Sequence, residues 1–195
     1  MTLDLKTTYD RLYSYCAERD FTGHDPFDAL NSEVFQKLPV KNLRFARLAL
    51  LQLVKRSPVD LRASLRVKDG VNSKALALFA LAETARFRAS GDEHHAANAK
   101  LLLDRLLKLK ISGDTPDGKR WMAFGYNFDW QSRYFYAPRG TPAIVPTAFA
   151  SQTFSEAFEL FKDERYSQAI SEIATFVVAK LNRFIETTDE VCFSY

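Results

Sequence analysis

Residues 73–110 read SKALALFALAETARFRASGDEHHAANAKLLLDRLLKLK, and both sides of Gly91-Asp92 carry helical apolar spacing. Ser73 offers an N-cap to the first helix, and Gly91 supplies the positive φ that commonly closes one. The second helix restarts after Asp92. It carries Ala96, Ala99, Leu102, Leu103, Leu106 and Leu107 at steps of three and four, and stops ahead of Ile111-Ser112-Gly113. An αα-hairpin with a turn of a few residues is the predicted structure.

Downstream, the pattern recurs. A helix over about 146–162, a short turn at Lys162-Asp163-Glu164 and a helix over about 165–185 form a second hairpin, offset by about 73 residues, with Phe161 placed like Phe87. Upstream, Leu5, Tyr9, Leu12, Tyr13 and Cys16 predict a helix over 3–19. A loop over 21–38 precedes a helix over 40–55, built on Leu43, Ala46, Leu50, Leu53 and Val54 and broken by Ser57-Pro58. Six helices with one apolar face each must cover one another, either by closing a ring of hairpins or as an open stack. The expected fold is all-α, an α/α toroid of helical hairpins, with residues 1–195 as a single helical domain. Val191-Cys-Phe-Ser-Tyr195 is a β-like run without a visible partner, so the toroid looks partial, cut or completed by another chain.

Composition narrows the function classes. Of 195 residues, 47% are hydrophobic and 13% aromatic, enough large apolar surface for a core. The 27 basic and 24 acidic residues leave a net charge of only +3, which gives no nucleic-acid footprint. Cys16 and Cys192 make neither a metal set nor a disulfide framework and are expected as buried thiols. The first residues lack the pattern of a signal peptide, and no apolar run approaches the length of a membrane span. A cytoplasmic protein without metal or cofactor is expected. His94 and His95 read as solvated residues at a helix start, and no Gly-rich phosphate loop occurs.

Chemistry concentrates in residues 121–142. Here Trp121, Tyr126, Trp130 and Tyr134 alternate with Asn127, Asp129, Gln131, Arg133 and Arg139. Loops that hold aromatic rings beside planar polar groups suit sugars: rings stack on pyranose C–H faces, while amides, carboxylates and guanidinium groups satisfy hydroxyls. Asp129 is the candidate acid or base, and the other eight are candidate binders, joined by Asp28 and Asn31 from the earlier loop. The competing reading makes the aromatics a plug between hairpins and Asp129–Arg133 a plain ion pair. A carboxylate pair at catalytic separation, Asp129 with Asp25 or Asp28 within roughly 5–10 Å, would mark glycoside hydrolysis.

Three stretches, 23–32 (Gly-His-Asp-Pro-Phe-Asp-Ala-Leu-Asn-Ser), 121–133 and 138–142 (Pro-Arg-Gly-Thr-Pro), resemble a family of bacterial helical proteins from polysaccharide-biosynthesis gene clusters. Members are six-hairpin α/α toroids related in fold to glycosidases, sugar epimerases and terpenoid cyclases. Some carry the label delta-aminolevulinic acid dehydratase, although the enzyme of that name is a TIM barrel and this chain shows no βα alternation. The resemblance covers nearly the whole chain, but members run about twice as long, which implies the N-terminal half of a longer toroid. It implies a sugar-related role: acting on or binding a polysaccharide or its precursor in cell-surface glycan biosynthesis. The alternative is a non-catalytic helical scaffold or assembly protein. A partial toroid would also expose helix faces, so a homo-oligomer that covers them is expected.

Overall fold

The structure, a computed structural model, describes residues 4–193. The chain runs through α1 (Leu5–Ala17), β1 (Thr22–Gly23) and three short 3-10 turns (Asp28–Asn31, Phe35–Lys37, Pro39–Asn42) into α2 (Arg44–Arg56), α3 (Arg62–Leu65) and β2 (Gly70–Val71). Next come α4 (Ser73–Ser90), α5 (Glu93–Lys108), β3 (Ile111–Asp114) and β4 (Arg120–Gly125). After β5 (Trp130–Gln131), β6 (Tyr136–Ala137) and β7 (Pro142–Ala143) follow α6 (Ile144–Phe161), α7 (Glu164–Ala179), β8 (Arg183–Glu186) and β9 (Val191–Phe193). Two compact units result. One combines the chain up to residue 72 with 127–139; the other holds 73–126 and everything from 140 onward.

This corrects the all-α toroid. Helix takes 57% of the chain, and the nine strands among the described residues build several small antiparallel sheets. The strands were hidden because they are short and break the alternation of a half-buried strand: in β4, Met122, Ala123 and Phe124 are all buried. The predicted helix over 165–185 ends at Ala179 instead. Arg183–Glu186 becomes β8 and pairs with β9, so the β-like run does have a partner. Leu3 of the first predicted helix, and Ser194 and Tyr195 of that run, lie outside the described residues.

The second unit is two copies of one plan: helix, helix, β-hairpin. Helices α4 and α6 have 18 residues each and α5 and α7 have 16 each. Ser73 corresponds to Ile144 and Glu93 to Glu164, so one constant offset relates the starts of both helix pairs. Each turn uses the same chemistry. Gly91, at φ 68°, gives its N–H to Phe87 O (2.8 Å), and Lys162, at φ 55°, gives its N–H to Phe158 O (3.0 Å). The next residue caps the following helix: Asp92 Oδ1 accepts from His94 N (2.9 Å) and Asp163 Oδ1 from Arg165 N (3.0 Å). The structural counterpart of Phe87 is therefore Phe158, while Phe161 stacks on Phe87 at 5.8 Å between ring centres.

Small residues bring these helices close. Ala77 and Ala80 of α4, Ala99 of α5, and Ala150 and Ala157 of α6 are fully buried. Thr153 on α6 donates to Ala77 O on α4 (3.0 Å). Strand β4 lies at the centre of the order β3-β4-β7 and inserts its side chains under α6 and α7. The Phe124 and Phe154 rings stand 6.2 Å apart and those of Trp121 and Phe176 5.9 Å apart. Burying each large side chain of this kind stabilises by roughly 1.5–3 kcal/mol.

The first unit has a smaller core: Ala29, Leu30, Phe35, Leu51 and Val54, with Phe27, Leu50, Leu61 and Leu65 packed against it. Helix α2 starts at Arg44 rather than residue 40, because Pro39 opens a 3-10 turn first. In α1 no residue is fully buried; Leu5 and Leu12 are exposed, and Tyr13 meets Phe21 edge-on at 5.5 Å. Both cysteines are free. Cys16 is half-buried, which pushes its thiol pKa up, whereas Cys192 is exposed rather than buried as expected. No helix among the described residues is long and apolar enough to cross a membrane.

Candidate functional site

The first unit contains a pocket of about 540 Å³, within the usual span for small-molecule sites, roughly 300–1,000 Å³. Its walls come from the 3-10 turns, from the strand approach at 68–70, and from the segment 127–139. Asn31 joins the first and third of these. Its Nδ2 donates to Asn127 O (2.9 Å) and its Oδ1 accepts from Asp129 N (3.1 Å), so one amide holds two main-chain groups of the later segment. Gly70 permits a close approach, since a Cβ there would lie 2.6 Å from Asn127 Nδ2.

Asp129 organises the loop. One carboxylate oxygen accepts from the Arg139 main-chain N–H (2.8 Å), and the other accepts from the Tyr136 hydroxyl (2.8 Å) and the Gln36 amide (3.4 Å). Burial, and then this bond to a carboxylate, pushes the Tyr136 phenol up to about 12. The Arg47 guanidinium covers the other side of the network, 4.2 Å above the Tyr136 ring, and donates to Gln131 Oε1 (2.7 Å). Gln131, buried, returns its amide to Ser132 O and Phe135 O.

Four of the residues singled out in the sequence, Asn31, Asn127, Asp129 and Arg139, line this one pocket. The others do not. Gln131 supports the loop from inside, and the main-chain oxygen of Arg133 accepts from Arg44. Trp130 meets Phe135 edge-on at 5.3 Å, and Tyr134 is 91% exposed. Asp28 is buried in an ion pair with Arg62 (3.0 Å) and bonds His24 (2.8 Å), while Asp25 caps Phe27 N, so neither carboxylate lines the pocket. Trp121 and Tyr126 belong to the second unit. Asp129 and Arg133, both among the described residues, form no ion pair with each other.

The sequence reading missed Glu33, Gln36, Lys68, Asp69 and Gly70. Glu33 pairs with Lys68 (2.7 Å), which holds its carboxyl below the usual carboxylate range, and Asp69 accepts from the Thr22 hydroxyl (3.0 Å). None of the five stands in a local motif. The turns and the β1–β2 pairing, Thr22 opposite Val71 and Gly23 opposite Gly70, bring them together.

Two polar groups stand out. Asn127 Oδ1 is buried without a hydrogen-bond partner, and the Arg139 guanidinium, at the exposed end of the segment, has no acidic partner among the described residues. An unmet buried acceptor costs about 1–3 kcal/mol unless a donor enters. The lining thus offers amides, carboxylates and two cations, Lys68 and Arg139, but only one apolar side chain, Leu30, and no ring to stack on. No cluster of three or more His, Cys, Asp or Glu among the described residues could hold a metal ion. No protein-family model, curated protein or solved structure matches the chain.

Proposed function

We propose that the chain is a carbohydrate-binding protein and that the pocket between the 3-10 turns and residues 127–139 takes a sugar or a sugar unit of a polysaccharide precursor. The observation that carries this reading is the convergence of Asn31, Gln36, Asn127, Asp129 and Arg139 on one pocket lined almost wholly by amides and charged groups. A hydroxyl is the group such a lining satisfies best, because it donates to a carboxylate or amide oxygen while accepting from Arg139 or an amide N–H. The three stretches that resemble proteins of polysaccharide-biosynthesis clusters each send a residue here: Asn31, then Asn127 and Asp129, then Arg139. Binding is favoured over catalysis, since Asp129 already spends both oxygens on the loop and the Glu33 carboxylate is paired with Lys68. Two free thiols suit a reducing compartment, and a cytoplasmic place is part of the proposal.

Isothermal titration calorimetry with a panel of mono- and oligosaccharides tests it. One class of sugar should give saturable heat. Asn127→Ala keeps the main-chain carbonyl that Asn31 uses and should weaken binding about 2–10-fold, the worth of one hydrogen bond. Absence of saturable heat from every sugar on the native chain would overturn the reading and favour a scaffold.

A further inference from the structure

The two copies of the helix, helix, β-hairpin plan differ in what covers the hairpin. The first, β3–β4, lies under α7: Glu172 approaches Arg120 at 3.9 Å and Phe176 packs on Trp121. The second, β8–β9, is exposed along its full length, with Phe184 at 78%, Ile185 at 49% and Val191 at 46%. A two-stranded hairpin with no apolar cover is marginal on its own. Its counterpart shows what fits it, namely the outer row of a helix like α7.

On α7 the side chains shown against the hairpin are Glu172 and Phe176, while Tyr166 stacks on Phe154 of α6 (5.9 Å). The equivalent places on α5, one repeat earlier, are Leu101 and Arg105. His95 and Asn98 are engaged with buried Glu83 (2.8 and 3.0 Å), but Leu101, where Glu172 would be, is 55% exposed. Among the described residues no hairpin covers α5 as β3–β4 covers α7. The charges also match. Lys108 closes α5 and Lys110 follows it, and the tip of the β8–β9 hairpin carries Asp189 and Glu190, with Glu186 beside them paired to Arg183.

We infer that the β8–β9 hairpin of one copy docks on the Leu101–Lys108 face of α5 in a second copy of this chain, repeating between molecules the contact that β3–β4 makes with α7 within one. Hairpin meets helix, so two copies can exchange the contact reciprocally as a closed two-fold dimer or repeat it head to tail. Head to tail, it leaves a free hairpin at one end and a free helix at the other, and assembly continues past the dimer. This goes beyond the pocket and does not depend on it.

Sedimentation equilibrium of the full chain from roughly 1 μM to 1 mM, the range of weak contacts, reads the outcome. The average mass should rise to that of a dimer or beyond, and less so in high salt. Phe184→Ser with Ile185→Ser spoils the hairpin, and Leu101→Glu spoils the helix face. All three side chains are exposed, so circular dichroism and thermal unfolding should match the native chain, while each variant alone should stay monomeric. An equimolar mixture of the two variants keeps one sound hairpin and one sound helix face, so it should stop at the dimer. A native chain that remains monomeric throughout would overturn the inference. So would a Leu101→Glu variant that assembles like the native chain, or a mixture that fails to pair.

Discussion

Met122 on β4 and Phe193 on β9 occupy one position in the two copies of the helix, helix, β-hairpin plan. Met122 stands opposite Ser112, and Phe193, its counterpart in the second copy, stands opposite Arg183. Met122 is 2% exposed and Phe193 38%. The pairing at this position is shared, although β8–β9 shifts register between Arg183 and Ile185; the larger difference is whether a helix lies over the hairpin. The pair therefore separates what a β-hairpin is worth by itself from what it is worth as part of a core. Met122→Ala should cost about 2–5 kcal/mol, as for other buried Met truncations. Phe193→Ala should stay within about 0.5 kcal/mol, as for a surface position, although the side chain removed is larger. Urea unfolding of both variants checks this, and equal losses would mean that β8–β9 is as integral to the unit as β3–β4.

The N-caps sharpen the comparison with a smaller effect. Asp92→Ala and Asp163→Ala should each cost about 1 kcal/mol, the usual worth of a cap. Asp163 carries an extra partner: the Arg165 side chain donates to both of its oxygens and also reaches Asp104 on α5 (2.8 Å). Those bonds hold the Asp163 carboxyl below the usual carboxylate range. A lowered folded-state pKa means the contribution is present above the unfolded value, near pH 4, and is lost as pH falls through the folded one. Asp163→Asn should accordingly flatten the loss of stability below about pH 4. An unchanged acid limb would show that this carboxylate does not contribute to it.

Helices α4 to α7 were legible because their signals are local: three- and four-residue apolar spacing, Asp caps and Gly91. The repeat was legible too, though its register was set slightly too long, since Phe161 drew the match away from Phe158. The β-hairpins were not. Three consecutive buried residues in β4 have no period, and only the cover of α6 and α7 makes them a strand core. At the pocket, Asn31, Asn127, Asp129 and Arg139 stood out as planar polar groups in loops. Glu33, Gln36, Lys68 and Asp69 did not, because their convergence depends on how turns far apart in sequence pack. Asp28 looked like a site carboxylate for the same reason. Its partner Arg62 lies 34 residues away and leaves no mark beside it.

The turns themselves allow the finest test. Gly91 and Lys162 perform one task, closing a helix in the left-handed region and giving an N–H to the Phe four residues earlier. Glycine holds that conformation freely, whereas a residue with a Cβ holds it at a cost of about 1 kcal/mol. A Cβ on Gly91 would meet nothing within 4 Å, so Gly91→Ala should lose about 1 kcal/mol through backbone conformation alone. Lys162→Gly should regain part of that amount. The gain is smaller because the Lys162 ammonium lies 5.7 Å from the Phe158 ring centre, a contact worth about 0.5–1 kcal/mol at an exposed site. A net gain of up to about 0.5 kcal/mol follows if the backbone term is the larger. A net loss on urea unfolding would show that the contact with Phe158 outweighs the strain, and that the second copy gave up glycine for a side chain that packs on its own helix.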